Sequence, residues 1–237
     1  MQVKTKAIVL SSLKFNEKSL IVKCFTLSDG LKSYFVPNAF SSKKNNQKIA
    51  YFQPLTLLEI EANHKNKNTL DYFKEIKIAT PFFSISTNIY KATIVLFVSE
   101  LLSNSIHEEE RNEPMFIFFE TALLWLDCHN DFSNFHLMFL LETTKFLGFY
   151  PDTTDIQYTY FELIEGIFSP LHGINCLSAH ETILFKKLLN LKFSSDQKVF
   201  SGIERQLLLK ILLHFYNSHI DSFKYPKSFD VLKEVFA

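Results

Sequence analysis

Glycine and arginine are the scarce residues of this chain, five and two among 237, and their scarcity removes whole classes of chemistry. A phosphate-cradling loop needs closely spaced glycines, and neither G-x-x-x-x-G-K-[ST] nor G-x-G-x-x-G occurs. G-x-S-x-G and H-E-x-x-H are missing too, so nucleophile-elbow hydrolysis and zincin chemistry have no footing. Cys24, Cys128 and Cys176 are far apart and odd in number, which excludes a disulfide framework and fits a reducing cytoplasm. No C-x-x-C pair exists, and no structural zinc is expected. No apolar run approaches the roughly 18 residues of a membrane span. The N-terminal segment MQVKTKAIVLSSLKF lacks a small-residue cleavage site and is predicted to be a strand rather than a signal peptide.

What is present is unevenly distributed. Residues 1–80 carry 13 lysines, no arginine and six acidic residues, a formal +7. Residues 81–237 carry 12 basic and 19 acidic residues, a formal −7, so the net charge of zero hides a dipole. A basic module joined to an acidic one predicts that one end meets a polyanion.

The same boundary separates two periodicities. Thr5–Leu13, Ser19–Leu27, Leu31–Val36, Gln53–Ala62 and Thr69–Ile78 are short runs rich in β-branched and aromatic residues. Gly30 is placed for a positive φ in the turn at Ser28-Asp29-Gly30, and Ser41–Lys48 is wholly polar. Five strands in about 75 residues suit a small closed barrel such as an OB-fold, with an SH3-like barrel as the competing topology. Beyond Pro81 the period becomes 3.6: Ile94, Phe97, Val98, Leu101 and Leu102 form one stripe. The segment around Phe116, Phe119, Leu123 and Leu126 is apolar almost all round, which predicts the centre of a helical bundle. Phe135–Leu147 is closed by Gly148 and Pro151, and capping boxes open helices at Ser178/Glu181 and Ser201/Glu204. Asp152–Leu177 is the least periodic stretch. The predicted class is α+β, with a five-stranded OB-like barrel over residues 1–79 and an all-helical domain over 80–237.

Candidate chemistry is concentrated in the basic module. Lys4, Lys6, Lys14 and Lys32 lie in or beside strands, and Lys43, Lys44 and Lys48 cluster in the polar loop. Phe15, Tyr34, Phe35 and Phe40 are interleaved with them. Lysines on phosphates beside rings that stack on unpaired bases are the physics of single-strand binding, and Tyr34 and Phe40 are taken as the stacking candidates. Tyr34 and Phe35 must point to opposite faces, so at most one of them is core. The His107–Glu113 run reads as a solvated acidic loop rather than a metal site, and Gly173 and Asn175 break the helix that His172, Cys176 and His180 would need to share a face.

These residues also carry a resemblance. TKAIVLSSLKFNEKSLIVKCFTLSDG (Thr5–Gly30) resembles the opening of the RecO recombination mediators. SSKKNNQKIAYFQPLTLLEIE is similar to that family's basic loop and its QPL strand. FLGFYPD, FELIEGIFSPLHG and RQLLLKILLHFYNSHI resemble its later segments in the same order. The four-cysteine zinc motif of many members is missing, so the resemblance is to a zinc-free branch. Where the family usually has a glycine and a basic residue before the loop, this chain has Asn38 and Phe40; asparagine tolerates left-handed backbone.

The resemblance implies a RecF-pathway mediator that binds single- and double-stranded DNA, anneals complementary strands and helps RecA load onto strands coated by single-stranded-DNA-binding protein (SSB). It implies RecR and the acidic, Phe-terminated SSB tail as direct partners, RecA as an indirect one, no cofactor, no catalytic residue and a cytoplasmic, nucleoid-associated location. Lys145 and Arg205 are the candidate cations for the tail carboxylate, since the helical domain offers few others. Two rivals come from other classes: an OB-containing nuclease, which would need clustered carboxylates for Mg²⁺, and a protein adaptor that binds no nucleic acid.

Overall fold

A computed structural model describes residues 2–40, 49–64, 70–107, 110–193 and 199–236. It divides into two compact units, residues 1–128 with 226–228, and residues 129–225 with 229–237.

The first unit begins with strands β1 (Gln2–Phe15), β2 (Ser19–Thr26), β3 (Gly30–Val36), β4 (Leu57–Asn63) and β5 (Tyr72–Ile78). They form one antiparallel sheet in the order β3-β2-β1-β4-β5. The sheet curls until, among the described residues, its edge strands touch at one parallel bridge, Tyr34 to Asp71. There the Phe35 N–H donates to the Asp71 carbonyl at 2.8 Å and the Asp71 N–H to the Ser33 carbonyl at 2.9 Å. The result is an OB-like barrel that is pinned at one point and open beyond it, rather than the closed barrel expected. A single 3₁₀ turn at Ala50–Phe52, also unexpected, places Phe52 in the barrel core with Val9, Val22, Tyr34, Leu58 and Ile60. Gly30 has φ +62 and Asn38 φ +54, so both turns use the left-handed backbone that the sequence foresees for them.

Ala7-Ile8-Val9-Leu10 is buried without a break because both faces of β1 are covered. Ala7 and Val9 face the barrel interior. Helices α1 (Ile89–Ser105) and α2 (Glu113–Cys128) belong to the same unit. Phe116 and Phe119 of α2 lie 6.2 and 5.8 Å from Phe25, and the Ser99 hydroxyl of α1 donates to the Leu10 carbonyl. Helices α1 and α2 pack with the strands, so the compact unit runs past residue 80. One expectation is corrected here: α2 is not the centre of a bundle, since its far side is open at Ile117.

A buried polar knot fastens the segment leading into α1. The Asp127 carboxylate accepts the N–H groups of Phe83, Ser84 and Ile85 at 2.8–2.9 Å. Lys91, 1% exposed, donates to the Ser84 hydroxyl at 2.7 Å and the Asp127 carbonyl at 3.0 Å. Burial alone would raise the Asp127 carboxyl, but these N–H donors outweigh it and hold it below the usual carboxylate range. Further along the chain, Glu100 clasps the backbone N–H groups of Lys227 and Ser228, both at 2.9 Å.

The second unit contains α3 (Phe135–Phe146), a hairpin of β6 (Tyr160–Glu162) and β7 (Ile167–Ser169), α4 (Ala179–Leu189), α5 (Gly202–His219) and α6 (Ser228–Val235), whose first residue falls in the other unit. Both predicted capping boxes form, at Ser178/Glu181 and Ser201/Glu204. Gly148 follows α3 at φ +84. The hairpin is a small addition to a domain that is otherwise helical, as expected. It lies in the aperiodic stretch, turns at Gly166 with φ +69, and buries Phe161 and Phe168 against each other at 5.0 Å. The Tyr216 hydroxyl donates to the Leu140 carbonyl at 2.8 Å, tying α5 to α3.

Candidate functional site

The strands sort the predicted DNA-binding residues by alternation and by partner. Lys4 and Lys6 point outward from β1 but meet acids: Lys4 lies 3.3 Å from Glu61, its cross-strand neighbour, and Lys6 lies 2.8 Å from Glu120 of α2. Burial would raise the Asp29 carboxyl, but Ser28 and His64 hold it down, and the Lys32 charge adds to them. Lys23, on β2, donates to the Ser103 carbonyl at 2.6 Å, and burial pulls its pKa down. The single lysine face expected from the sequence is thus divided, with part of its charge spent on pairs inside the unit. Lys43, Lys44 and Lys48 lie outside the described residues.

Tyr34 must be removed from the stacking candidates. It is fully buried, stacked on Phe73 at 4.1 Å, with its hydroxyl 2.7 Å from Nε2 of His64. Asp29 holds Nδ1 of the same imidazole at 2.8 Å, so the tyrosine is fixed by a chain of three polar groups that runs from the core to the half-exposed Asp29. A base cannot stack on a ring enclosed in the core.

Lys14 and Phe40 are brought together, the ammonium 5.5 Å from the ring centroid. They sit beside the β1–β2 turn with Phe15 and Lys18, both exposed. Next to this corner the open side of the barrel forms a groove of about 880 Å³ between the end of β3 and strand β5. Phe35, Asn38, Tyr51, Tyr72, Lys74 and Lys77 are among its lining residues. Past the Tyr34–Asp71 bridge the two strands part, and the space between them is the groove. Lys74 donates to the Gln2 side chain at 2.8 Å, and Lys77 lies 3.9 Å from Glu75 with both side chains well exposed. Tyr72, Lys74 and Lys77 escape a reading of the sequence alone. Strict alternation cannot place them, because Phe73 and Ile76 are three positions apart yet both pack against the core; the register shift opposite Glu61 and Ala62 changes the phase along β5.

In the second unit, Lys145 and Arg205 have separate surroundings. Lys145 pairs with Glu142 at 2.7 Å and lies 4.6 Å from the Tyr150 ring centroid. Arg205 donates to the Phe200 carbonyl at 2.6 Å, and burial lowers its pKa. It lines a narrow cavity of about 20 Å³ with Leu209, Phe229, Leu232, Lys233 and Phe236. The cavity also reaches His136, 3% exposed, whose Nδ1 has no hydrogen-bond partner among the described residues. Burial, helped by the Arg205 charge, pushes the His136 pKa down to about 3.

Among the described residues no three or more His, Cys, Asp or Glu side chains are grouped to hold a metal ion, and no helix is long and apolar enough to cross a membrane.

Two family models divide the chain where its periodicity changes. The one described as recombination protein O N terminal matches residues 1–82, and the one described as recombination protein O C terminal matches residues 86–228. The chain belongs to the RecO family. Its N-terminal OB-like barrel and helical remainder are those of a RecO protein. The DNA repair protein RecO of Flavobacterium johnsoniae is 66% identical over 237 residues, covering the whole of both chains. Those of Flavobacterium psychrophilum and Christiangramia forsetii are 65% and 40% identical, again over the full length of both chains. Membership of the RecO family gives the chain a role in DNA repair and recombination.

Proposed function

We propose that the barrel unit binds DNA through phosphate contacts without sequence preference, and that the protein acts as a non-catalytic mediator that anneals strands and helps RecA onto SSB-coated DNA. The observation that carries this reading is the groove beside β5, where Lys74 and Lys77 share one concave surface with exposed rings. Lys14 and Lys18 extend the positive charge across the β1–β2 turn, and Lys43, Lys44 and Lys48 follow directly in the chain after Phe40. Annealing of this kind makes and breaks no covalent bond. It needs cations that cancel repulsion between two strands while leaving the bases open to pair. RecR as a partner and a cytoplasmic, nucleoid-associated location complete the reading.

The SSB tail is assigned to the second unit, at Arg205 rather than Lys145. An acidic peptide ending in Phe needs a cation beside an apolar pocket. Arg205 has Leu209, Phe229 and Leu232 around it, whereas Lys145 is neutralised by Glu142. Seating a phenyl ring there would require this narrow cavity to widen.

The test is strand annealing on SSB-coated DNA together with DNA affinity at several salt concentrations. Replacing Lys43, Lys44 and Lys48 with Glu should lower the salt slope by roughly one unit for each phosphate no longer neutralised. Wild-type protein without annealing activity favours an adaptor, and strand cleavage with Mg²⁺ favours a nuclease. Arg205→Glu should weaken binding of an SSB tail peptide while Lys145→Glu leaves it unchanged.

A further inference from the structure

Three aromatic side chains follow one another edge to face across the outside of the barrel. The Phe15 and Phe35 centroids are 5.9 Å apart with planes at 84°, and those of Phe35 and Tyr72 are 5.8 Å apart at 78°. They come from β1, β3 and β5, three strands far apart in sequence. Strand alternation explains their side: Tyr34 and Phe73 fill the core, so Phe35 and Tyr72 face out. Phe15 is 44% and Tyr72 46% exposed, and Leu13 of the same face is 65% exposed. A core position could have taken this apolar surface out of water, yet it lies in a row on the rim of the groove.

We propose that Phe15, Phe35 and Tyr72 form a stacking row for the unpaired bases of single-stranded DNA, so that this site prefers single strands to duplex. The inference rests on the DNA-binding reading and deepens it. The occupant follows from the charge around the row. Lys14 and Lys18 flank Phe15, and Lys74 and Lys77 lie beyond Tyr72, with Glu17 and Glu75 the only acids of those two segments. An apolar or acidic peptide would leave these ammonium groups uncompensated or the rings unused; a single strand engages both, phosphates on lysine and base faces on rings. A duplex keeps its base faces stacked inside and offers the row nothing but phosphate.

The experiment uses the full-length chain, the variants Phe15→Ala, Tyr72→Ala and the double variant, and two probes of equal length: a thymidine homopolymer and a mixed-sequence duplex. Fluorescence anisotropy is read at several salt concentrations, and thermal melting confirms folding. Each single variant should weaken homopolymer binding about tenfold, leaving duplex affinity and both salt slopes unchanged. Tyr72→Phe, which keeps the ring, should bind as wild type. Equal losses on both probes, or no loss on the homopolymer, overturn the stacking row and leave the DNA-binding reading standing. A wild-type chain that binds neither probe overturns the DNA-binding reading, and the row with it.

Discussion

The hydroxyl of Tyr34 lies 2.7 Å from Nε2 of His64, inside the barrel and next to the Tyr34–Asp71 bridge that joins its edge strands. Removing that hydroxyl with Tyr34→Phe keeps the ring packed on Phe73 but takes a hydrogen-bond partner from a buried imidazole. Stability should fall by about 1–3 kcal/mol in urea titration, the cost of a buried polar group without its partner. DNA affinity should stay at the wild-type value, because the ring is core and touches no ligand.

Gly30 holds the β2–β3 turn at φ +62, and a Cβ placed there would run into the Glu110 carbonyl. Gly30→Ala should therefore cost about 2 kcal/mol or more, from left-handed strain and collision together. Gly173→Ala is the control, since its Cβ would meet only Cys176 Sγ at 3.5 Å. Thermal melts of the two variants should separate clearly.

Lys91→Met keeps the aliphatic stem and loses the ammonium. The Asp127 carbonyl and Ser84 hydroxyl then lose a charged donor, and the start of α1 should loosen. A cost of about 2–3 kcal/mol is expected, with faster amide exchange at residues 83–85, whose N–H groups Asp127 holds.

His136 predicts a pH dependence. Its folded pKa of about 3 is below the ordinary 6.5, so the unfolded chain binds more protons between those values. Stability is then fully present above pH 6.5 and is lost as the pH falls below it. From pH 8 to pH 5 this one group should cost about 2 kcal/mol, at 1.36 kcal/mol per unit below 6.5. His136→Gln should flatten that part of the profile, read as the urea midpoint at each pH.

Local signals are legible in the sequence, and long-range ones are not. The turns at Gly30 and Asn38, the stop at Gly148 and the two capping boxes depend on a few adjacent residues, and the structure realises each of them. The pairing of Lys6 with Glu120 joins residues 114 positions apart, and nothing near Lys6 announces it. Alternation puts Tyr34 and Phe35 on opposite faces, but only the curl of the sheet decides which is inside. The hairpin at Tyr160–Ser169 has strands of three residues, too short for a period to show. The unbroken apolar run Ala7–Leu10 is a subtler clue: it marks a strand covered on both faces, and hence helices belonging to the barrel unit.

The clasp of Glu100 on Lys227 and Ser228 sets an order of events during synthesis. Strands β1–β5 and helices α1 and α2 emerge from the ribosome first, but the segment that completes their unit is encoded after almost all of the other. A nascent chain stalled before residue 226 would carry Glu100 with neither of these backbone partners. The N-terminal unit is thus finished only after nearly all of the second unit up to Tyr225 has been made, and a defect at residues 226–228 would be felt in the barrel unit although the chain has already built its strands.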